Sequence, residues 1–372
     1  MENSGLYIHI PFCKSKCLYC DFNSYAKSES WIEPYFSALC EEIKIQAKKY
    51  PKRYDTIYFG GGTPSAVDPD YICETLSVLK ECFEIESDAE ITIECNPKTI
   101  GFEGLCALSE AGINRLSIGL QSTSDDCLKT LGRIHSFEDF GDCFQNARRA
   151  GFQNISLDLM YGLPSMTLAD WEDTLDEAVG FGAEHISCYS LKVEEGTPFW
   201  DMDLNLPDDD AVADMYDLAV EKLGNAGYSR YEISNFAKNG CESRHNKKYW
   251  QCVDFLGLGA GAFSCVEGAR FSNALGISEY IEKIKKDQSA EINCETLDNF
   301  DMMSEFVFLG LRLREGISER KFFERFVLDI DDVFGEPLKK YEKTGHLVRK
   351  NGNIRFSDKG FFVSNMILSD FV

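Results

Sequence analysis

The sequence predicts an α/β fold: a partial (β/α)6 barrel of the TIM type, followed by a small α+β module of winged-helix-like character. Three observations predict it. Between residues 6 and 192, short β-branched or aromatic runs alternate with longer amphipathic ones, which implies a parallel sheet with crossover helices. Glycines, carboxylates and thiols gather just after those runs, where a parallel barrel keeps its active site. From about Phe300 the apolar positions recur at helical spacing and are interrupted by one short hairpin.

In chain order, strands are predicted over 6–12, 56–60, 91–95, 115–120, 155–161 and 186–191. Helices fall between them, for example over 31–49 and 168–181. Eight such units would close a barrel; six leave it open on one side, able to admit a large substrate. An acidic helix over 208–225 and a strand over 228–236 follow. The last segment predicts helices through 306–313, 322–326 and 333–341, a hairpin over 347–356 turning at Asn351 and Gly352, and a final helix over 359–371. The expected division is a barrel over 1–240, a barrel-completing connection over 241–299 and a carboxyl-terminal module over 300–372.

A chain of 372 residues, 44% hydrophobic and 13% aromatic, can bury a large core and still carry a second, smaller domain. Its net charge of −24 repels polyanions, and the densest basic run, 48–53, falls at the end of a predicted helix, so nucleic acid is excluded as a partner. Of the 15 cysteines, those beyond the first three are scattered singly from Cys40 to Cys294, as in a reducing cytosol. Cys241, Cys252 and Cys265 have long, irregular gaps and read as buried inert thiols. The N-terminus lacks a basic stretch followed by an apolar one, and no run approaches the length of a membrane span, so a cytoplasmic protein is expected.

The chemistry concentrates first in Cys13, Cys17 and Cys20, directly after the first strand. Zinc or a redox disulfide would leave one of the three without a role, whereas three thiolates on one loop suit a 4Fe-4S cluster with one iron open to a non-protein ligand. A zinc loop with a distant fourth ligand is the competing reading. After the second strand, Gly60, Gly61 and Gly62 let backbone approach a ligand closely, with Thr63 and Pro64 following. Glu94 ends the third strand, Gln121 the fourth, Arg133 lies twelve residues on, and Asp158 is the single charge of the fifth. A second stretch, Ser243 to Trp250, offers His245 as an axial nitrogen with Tyr249 and Trp250 as flat faces for a macrocycle. Composition alone favours a capped loop that packs those aromatics into the core.

CxxxCxxC with Tyr19 inside the last gap resembles the cluster loop of radical S-adenosylmethionine (SAM) proteins. That resemblance implies the same partial barrel, a 4Fe-4S cluster on Cys13, Cys17 and Cys20, and SAM bound at the open iron as source of a 5′-deoxyadenosyl radical. The stretches IHIPFCKSKCLYCDF, YFGGGTP, IECNP, IGLQS, LGRIH and DLMYGLP together resemble the branch that holds oxygen-independent coproporphyrinogen III oxidase, over nearly the whole chain. Carried over by position, the resemblance implies SAM contacts from Tyr7, Tyr19, Gly61, Gly62, Thr63, Glu94, Gln121, Arg133, Asp158, Ser190 and Phe263. It also implies that the carboxyl-terminal module sits beside the barrel opening as a lid or docking surface.

Two departures separate this chain from the oxidase: Phe22 stands where the oxidase has a further cysteine, and only twelve residues precede Cys13. With its HNxxYW stretch the pattern is similar to the haem-chaperone relatives of that branch. The similarity implies haem at His245, recipient haemoproteins, an electron donor for the cluster and room for a homodimer. The alternative is the oxidase itself, acting on a porphyrinogen in porphyrin biosynthesis by SAM radical chemistry.

Overall fold

The computed structural model describes residues 3–372, apart from the side chain of Phe362. Six strands, β1 (Ser4–Ile10), β2 (Arg53–Gly61), β3 (Glu84–Cys95), β4 (Arg115–Gln121), β5 (Ile155–Tyr161) and β6 (His185–Ser190), run parallel in sequence order. Beyond β6 the sheet continues antiparallel through β7 (Ser229–Arg230) and β8 (Asn235–Ala237). Beyond β1 it takes β9 (Phe255–Leu258) in parallel, then β10 (Phe263–Val266), β11 (Ala269–Asn273) and β12 (Glu291–Thr296) antiparallel. The result is one 12-stranded sheet whose edge strands, β7 and β12, do not pair with each other, so the barrel stays open.

Each barrel strand alternates. Leu6, Ile8, Ile57, Phe59, Ile93, Leu116, Ile118, Leu157, Leu159 and Ile186 are fully buried in one core beneath the helices. The other face is polar: across the barrel interior Tyr58 bonds Glu94, Ser117 and Ser156 bond Asp158, Ser156 bonds His185, and Tyr7 bonds His9. A two-residue period thus sorts apolar groups outward and chemistry inward. Helices α1 (Ile32–Lys49), α2 (Pro69–Cys82), α3 (Phe102–Ala111), α4 (Asp125–Thr130), α5 (Phe137–Arg149) and α6 (Leu168–Gly180) cover the outside. Their starts are written in the sequence: Asp68 caps α2, and Ser136 with Asp139 and Thr167 with Asp170 form capping boxes on α5 and α6.

Three expectations are corrected. The strand over 228–236 is broken, because the Glu232 carboxylate accepts the Ser234 N–H at 3.0 Å and bends the chain between β7 and β8. After α7 (Asp209–Asn225), the stretch that composition alone reads as a capped loop is a short helix, α8 (Arg244–Trp250), with Ser243 as its N-cap. The final helix over 359–371 is split at Val363, whose φ of −108° and ψ of 22° interrupt it between two short helices.

After α9 (Ile277–Asp287), the carboxyl-terminal segment builds α10 (Asn299–Gly310), α11 (Glu319–Phe326) and α12 (Ile330–Lys343). A three-stranded sheet of β13 (Ile317–Ser318), β14 (Leu347–Lys350) and β15 (Asn353–Phe356) joins them, before α13 (Asp358–Phe362) and α14 (Ser364–Leu368). The hairpin turns at Asn351 and Gly352, both at positive φ (55° and 76°), as a two-residue connection demands. Phe322, Phe334, Leu338, Ile354, Phe356 and Phe371 form a second core, separate from that of the barrel. Among the described residues no helix is long and apolar enough to cross a membrane.

Candidate functional site

The cysteine loop starts where β1 ends. Phe12–Cys13 pairs with Tyr25–Ala26, closing the loop on itself, and Leu18 N–H donates to Leu131 O at 3.0 Å. The glycine turn after β2 is bonded to the same segment: Gly62 N–H to Ile10 O at 2.9 Å and Thr63 N–H to Phe12 O at 2.8 Å. A Cβ on Gly62 would lie 2.8 Å from Phe12 O and 3.1 Å from the Cys13 thiol, so a side chain there would push on the cysteine. Cys13 Sγ sits 3.5 Å from Thr63 Oγ1, and Arg133 Nη1 donates to Cys17 Sγ at 3.6 Å. All three thiols are partly exposed neighbours, and burial pushes those of Cys13 and Cys20 upward. Among the described residues no three His, Cys, Asp or Glu side chains are grouped closely enough, as they stand, to hold a metal ion. What the loop supplies is the donor type, three soft sulfurs on one segment, which fits an iron-sulfur cluster.

Beside the loop lies a cavity of about 760 Å³. Of the sequence-predicted SAM contacts, Tyr7, Gly61, Glu94 and Phe263 line it. Glu94 accepts from Tyr58 Oη at 2.9 Å and from Gly61 N–H at 3.2 Å, and burial pushes its carboxyl up to about 7. His9, not singled out as a contact by the sequence, lines the same space, with Nδ1 3.1 Å from Tyr7 Oη and Nε2 2.8 Å from Asn23 O.

The remaining predicted residues lie elsewhere. Thr63 and Arg133 face a narrow crevice with Cys17, Asn96 and His135. There Arg133 Nη2 donates to Asn96 Oδ1 at 2.6 Å and Gly119 O at 2.9 Å, while Asn96 Nδ2 donates to Thr63 Oγ1 at 2.8 Å. Gln121 ends β4 at a left-handed φ of 68° and is buried, where the register to β5 shifts. Asp158 lies within the barrel, accepting from Ser117 at 3.0 and 3.1 Å, with burial raising its carboxyl. The Tyr19 ring tilts against Phe199 at 6.4 Å, and Ser190 is exposed at the end of β6.

His245 is placed against the opening residues of β1 and β2. Its Nδ1 is 2.9 Å from Thr56 Oγ1, its Nε2 is 2.8 Å from Tyr249 Oη, and its ring stacks on Tyr58 at 5.2 Å. The Glu90 carboxylate accepts the N–H groups of Arg244 and His245, both at 3.0 Å, anchoring the start of α8. Lys248 Nζ pairs with Asp55 at 2.6 Å. The imidazole is 1% exposed, and burial pushes its pKa down to about 3. In this arrangement neither ring nitrogen is open to iron; Tyr249, not His245, reaches the cavity wall.

Sequence reasoning also missed Glu42. Its carboxylate accepts from Gly259 N–H at 2.8 Å, Tyr280 Oη at 2.7 Å and Asn273 Nδ2 at 2.6 Å, fixing the glycine-rich turn that leads to Phe263. A charge on the buried side of an otherwise amphipathic α1 was the available signal.

An open parallel barrel with a polar interior and a CxxxCxxC loop at its mouth defines a radical SAM protein. Residues 7–178 match the Radical SAM superfamily and residues 297–363 the HemN C-terminal domain. The chain is 36% identical to the heme chaperone HemW of Bacillus subtilis over 98% of both proteins. It is 31% identical to the mitochondrial radical S-adenosyl methionine domain-containing protein 1 of Bos taurus, over 99% of this chain and 87% of that one. The solved structure of coproporphyrinogen III oxidase (HemN) from Escherichia coli superposes with a TM-score of 0.89, covering 100% of this chain and 90% of that one. At 24% identity that likeness is one of fold. The chain belongs to the HemW family of the radical SAM superfamily.

Proposed function

We propose that this chain is a haem chaperone, a radical SAM-type 4Fe-4S protein that binds haem and passes it to recipient haemoproteins. The observation that carries the reading is its likeness, over 98% of its length, to proteins named as haem chaperones. Phe22, at the position where the oxidase has a further cysteine, points the same way.

Cys13, Cys17 and Cys20 are the cluster ligands in this reading, with one iron left for SAM. When bound, the reduced cluster supplies the electron that breaks a carbon-sulfur bond of SAM. Tyr7, Gly61, Glu94 and Phe263 hold SAM in the cavity, with Gly62, Thr63, Gln121 and Arg133 on the cluster side. Tyr19, Asp158 and Ser190 act from the surrounding shell. Glu94, whose carboxyl burial pushes up to about 7, accepts a hydrogen bond from an ammonium group once ionised. Axial ligation of haem by His245 requires Tyr249 to release Nε2. The setting is the cytoplasm, with an electron donor for the cluster and a homodimer as the assembly.

Anaerobic reconstitution tests the cluster and should give about four irons per chain. Transfer tests the carrier: haem-loaded protein mixed with an apo-haemoprotein should move the Soret band to the acceptor. Formation of protoporphyrinogen from coproporphyrinogen, with SAM and reductant, would favour the oxidase instead.

A further inference from the structure

We propose that Phe22 and Leu275, at the rim of the large cavity beside the SAM contact Phe263, form the docking platform for the tetrapyrrole face, and that binding there does not run through the iron. The proposal rests on the haem reading and adds a site to it.

The three side chains come from distant segments: the cysteine loop, β10 and the turn before α9. All line the same cavity, yet they are 62%, 59% and 55% exposed. Single exposed apolar groups are ordinary, but several around one cavity mouth mark a binding surface. Polar bonds beneath fix the positions of their backbones. Asn23 Nδ2 donates to Ala260 O at 3.1 Å and to Leu275 O at 3.0 Å, tying the cysteine loop to the opposite rim. Tyr25 Oη adds a bond to Leu275 O at 3.4 Å.

The charge at this rim fits an anionic edge. Lys16 is the cation of the lining; its Nζ donates to the carbonyls of Phe22 at 2.9 Å and Ser24 at 3.4 Å, and its charge also acts on the thiols of Cys13 and Cys20. Of the two lining carboxylates, Asp21 is exposed, while Glu94 is turned inward to Tyr58 and Gly61. An apolar rim beside a cation whose hydrogen bonds go to backbone carbonyls, with no carboxylate bonded to it among the described residues, suits a flat macrocycle with carboxylate arms. SAM, zwitterionic and cationic at sulfur, suits the polar groups below it. No imidazole is offered at the rim, since both nitrogens of His9 and both of His245 are already bonded. Contact through the ring face and the propionates therefore carries the binding.

The test is titration of the reconstituted full-length protein with hemin and, separately, with metal-free protoporphyrin IX. Both should bind the parent, with affinities within about tenfold of each other, because the platform does not use iron. The double variant Phe22→Ser/Leu275→Ser should weaken both by about tenfold or more, with iron content and SAM binding as in the parent, while Phe22→Trp should restore hemin binding. If metal-free porphyrin binds more than about a hundredfold weaker than hemin, or the double variant binds like the parent, the platform is overturned and the haem reading survives on another ligand. A parent that binds neither tetrapyrrole removes both.

Discussion

Tyr249 Oη lies 2.8 Å from His245 Nε2, and this one contact decides what the HNxxYW helix can do. With Thr56 on the other nitrogen, the imidazole is tied into the barrel, stacked on the Tyr58 ring whose hydroxyl bonds Glu94 at the cavity. The helix is thus a plug that connects the strand starts to the cavity wall.

Tyr249→Phe removes the hydroxyl and leaves the ring. If haem docks on the rim, hemin affinity should stay within about twofold of the parent; a gain of about tenfold would mean that the freed Nε2 takes the iron. His245→Ala should cost about 2–3 kcal/mol of stability in urea unfolding, because it strands the Thr56 and Tyr249 hydroxyls in a buried site.

Arg133 places a cation against a proposed cluster ligand, with Nη1 3.6 Å from Cys17 Sγ. Arg133→Gln keeps a donor and removes the charge, which disfavours adding an electron to the cluster. Its midpoint potential should fall by on the order of tens of mV, read by a spectroscopic redox titration, with iron content retained. An unchanged potential would reduce Arg133 to a tether for Asn96 and Gly119.

Gly62→Ala places a methyl 3.1 Å from Cys13 Sγ and 2.8 Å from Phe12 O. The loop must shift to admit it. Reconstituted iron should drop from about four per chain to about half or less, while thermal unfolding moves by only a few degrees. Full iron content would show that the loop yields without losing the cluster.

The barrel strands were legible because their alternation is strict: Leu6, Ile8 and Ile10 face the core, and Tyr7 and His9 face the cavity. The front half of β3 was not, since Glu84 to Asp88 is a polar, exposed or half-buried stretch with no apolar alternation, held by backbone pairing to Arg53 and Tyr54. Helix α8 carries no apolar period; only the Ser243 cap marks it. The engagement of His245 depends on Thr56, 189 residues away, and the rim joins Phe22 to Leu275 through Asn23. Local pattern reports which face a residue takes; it does not report which distant residue meets it.

Glu42 makes the last prediction, because its environment gives a sign as well as a size. Burial is the largest influence and pushes its carboxyl up to about 7 from an ordinary 4.5, against the opposing pull of Tyr280, Gly259 and Asn273. In the folded state it holds a proton that the unfolded chain has already lost above about 4.5. The stability this group contributes is therefore complete below that pH and is lost as pH rises toward 7. Glu42→Gln cannot titrate, and its amide oxygen still accepts from Tyr280 and Gly259. The stability of the parent minus that of the variant should fall by about 1–3 kcal/mol between pH 5 and 8. Glu94 and Glu232 are also pushed to about 7, so the absolute slope mixes several groups and only the difference isolates Glu42. Urea unfolding of both proteins at pH 5, 6.5 and 8 measures it. A difference that does not change with pH would mean that Glu42 is ionised in the fold throughout, its charge balanced by the three donors around the Gly259 turn.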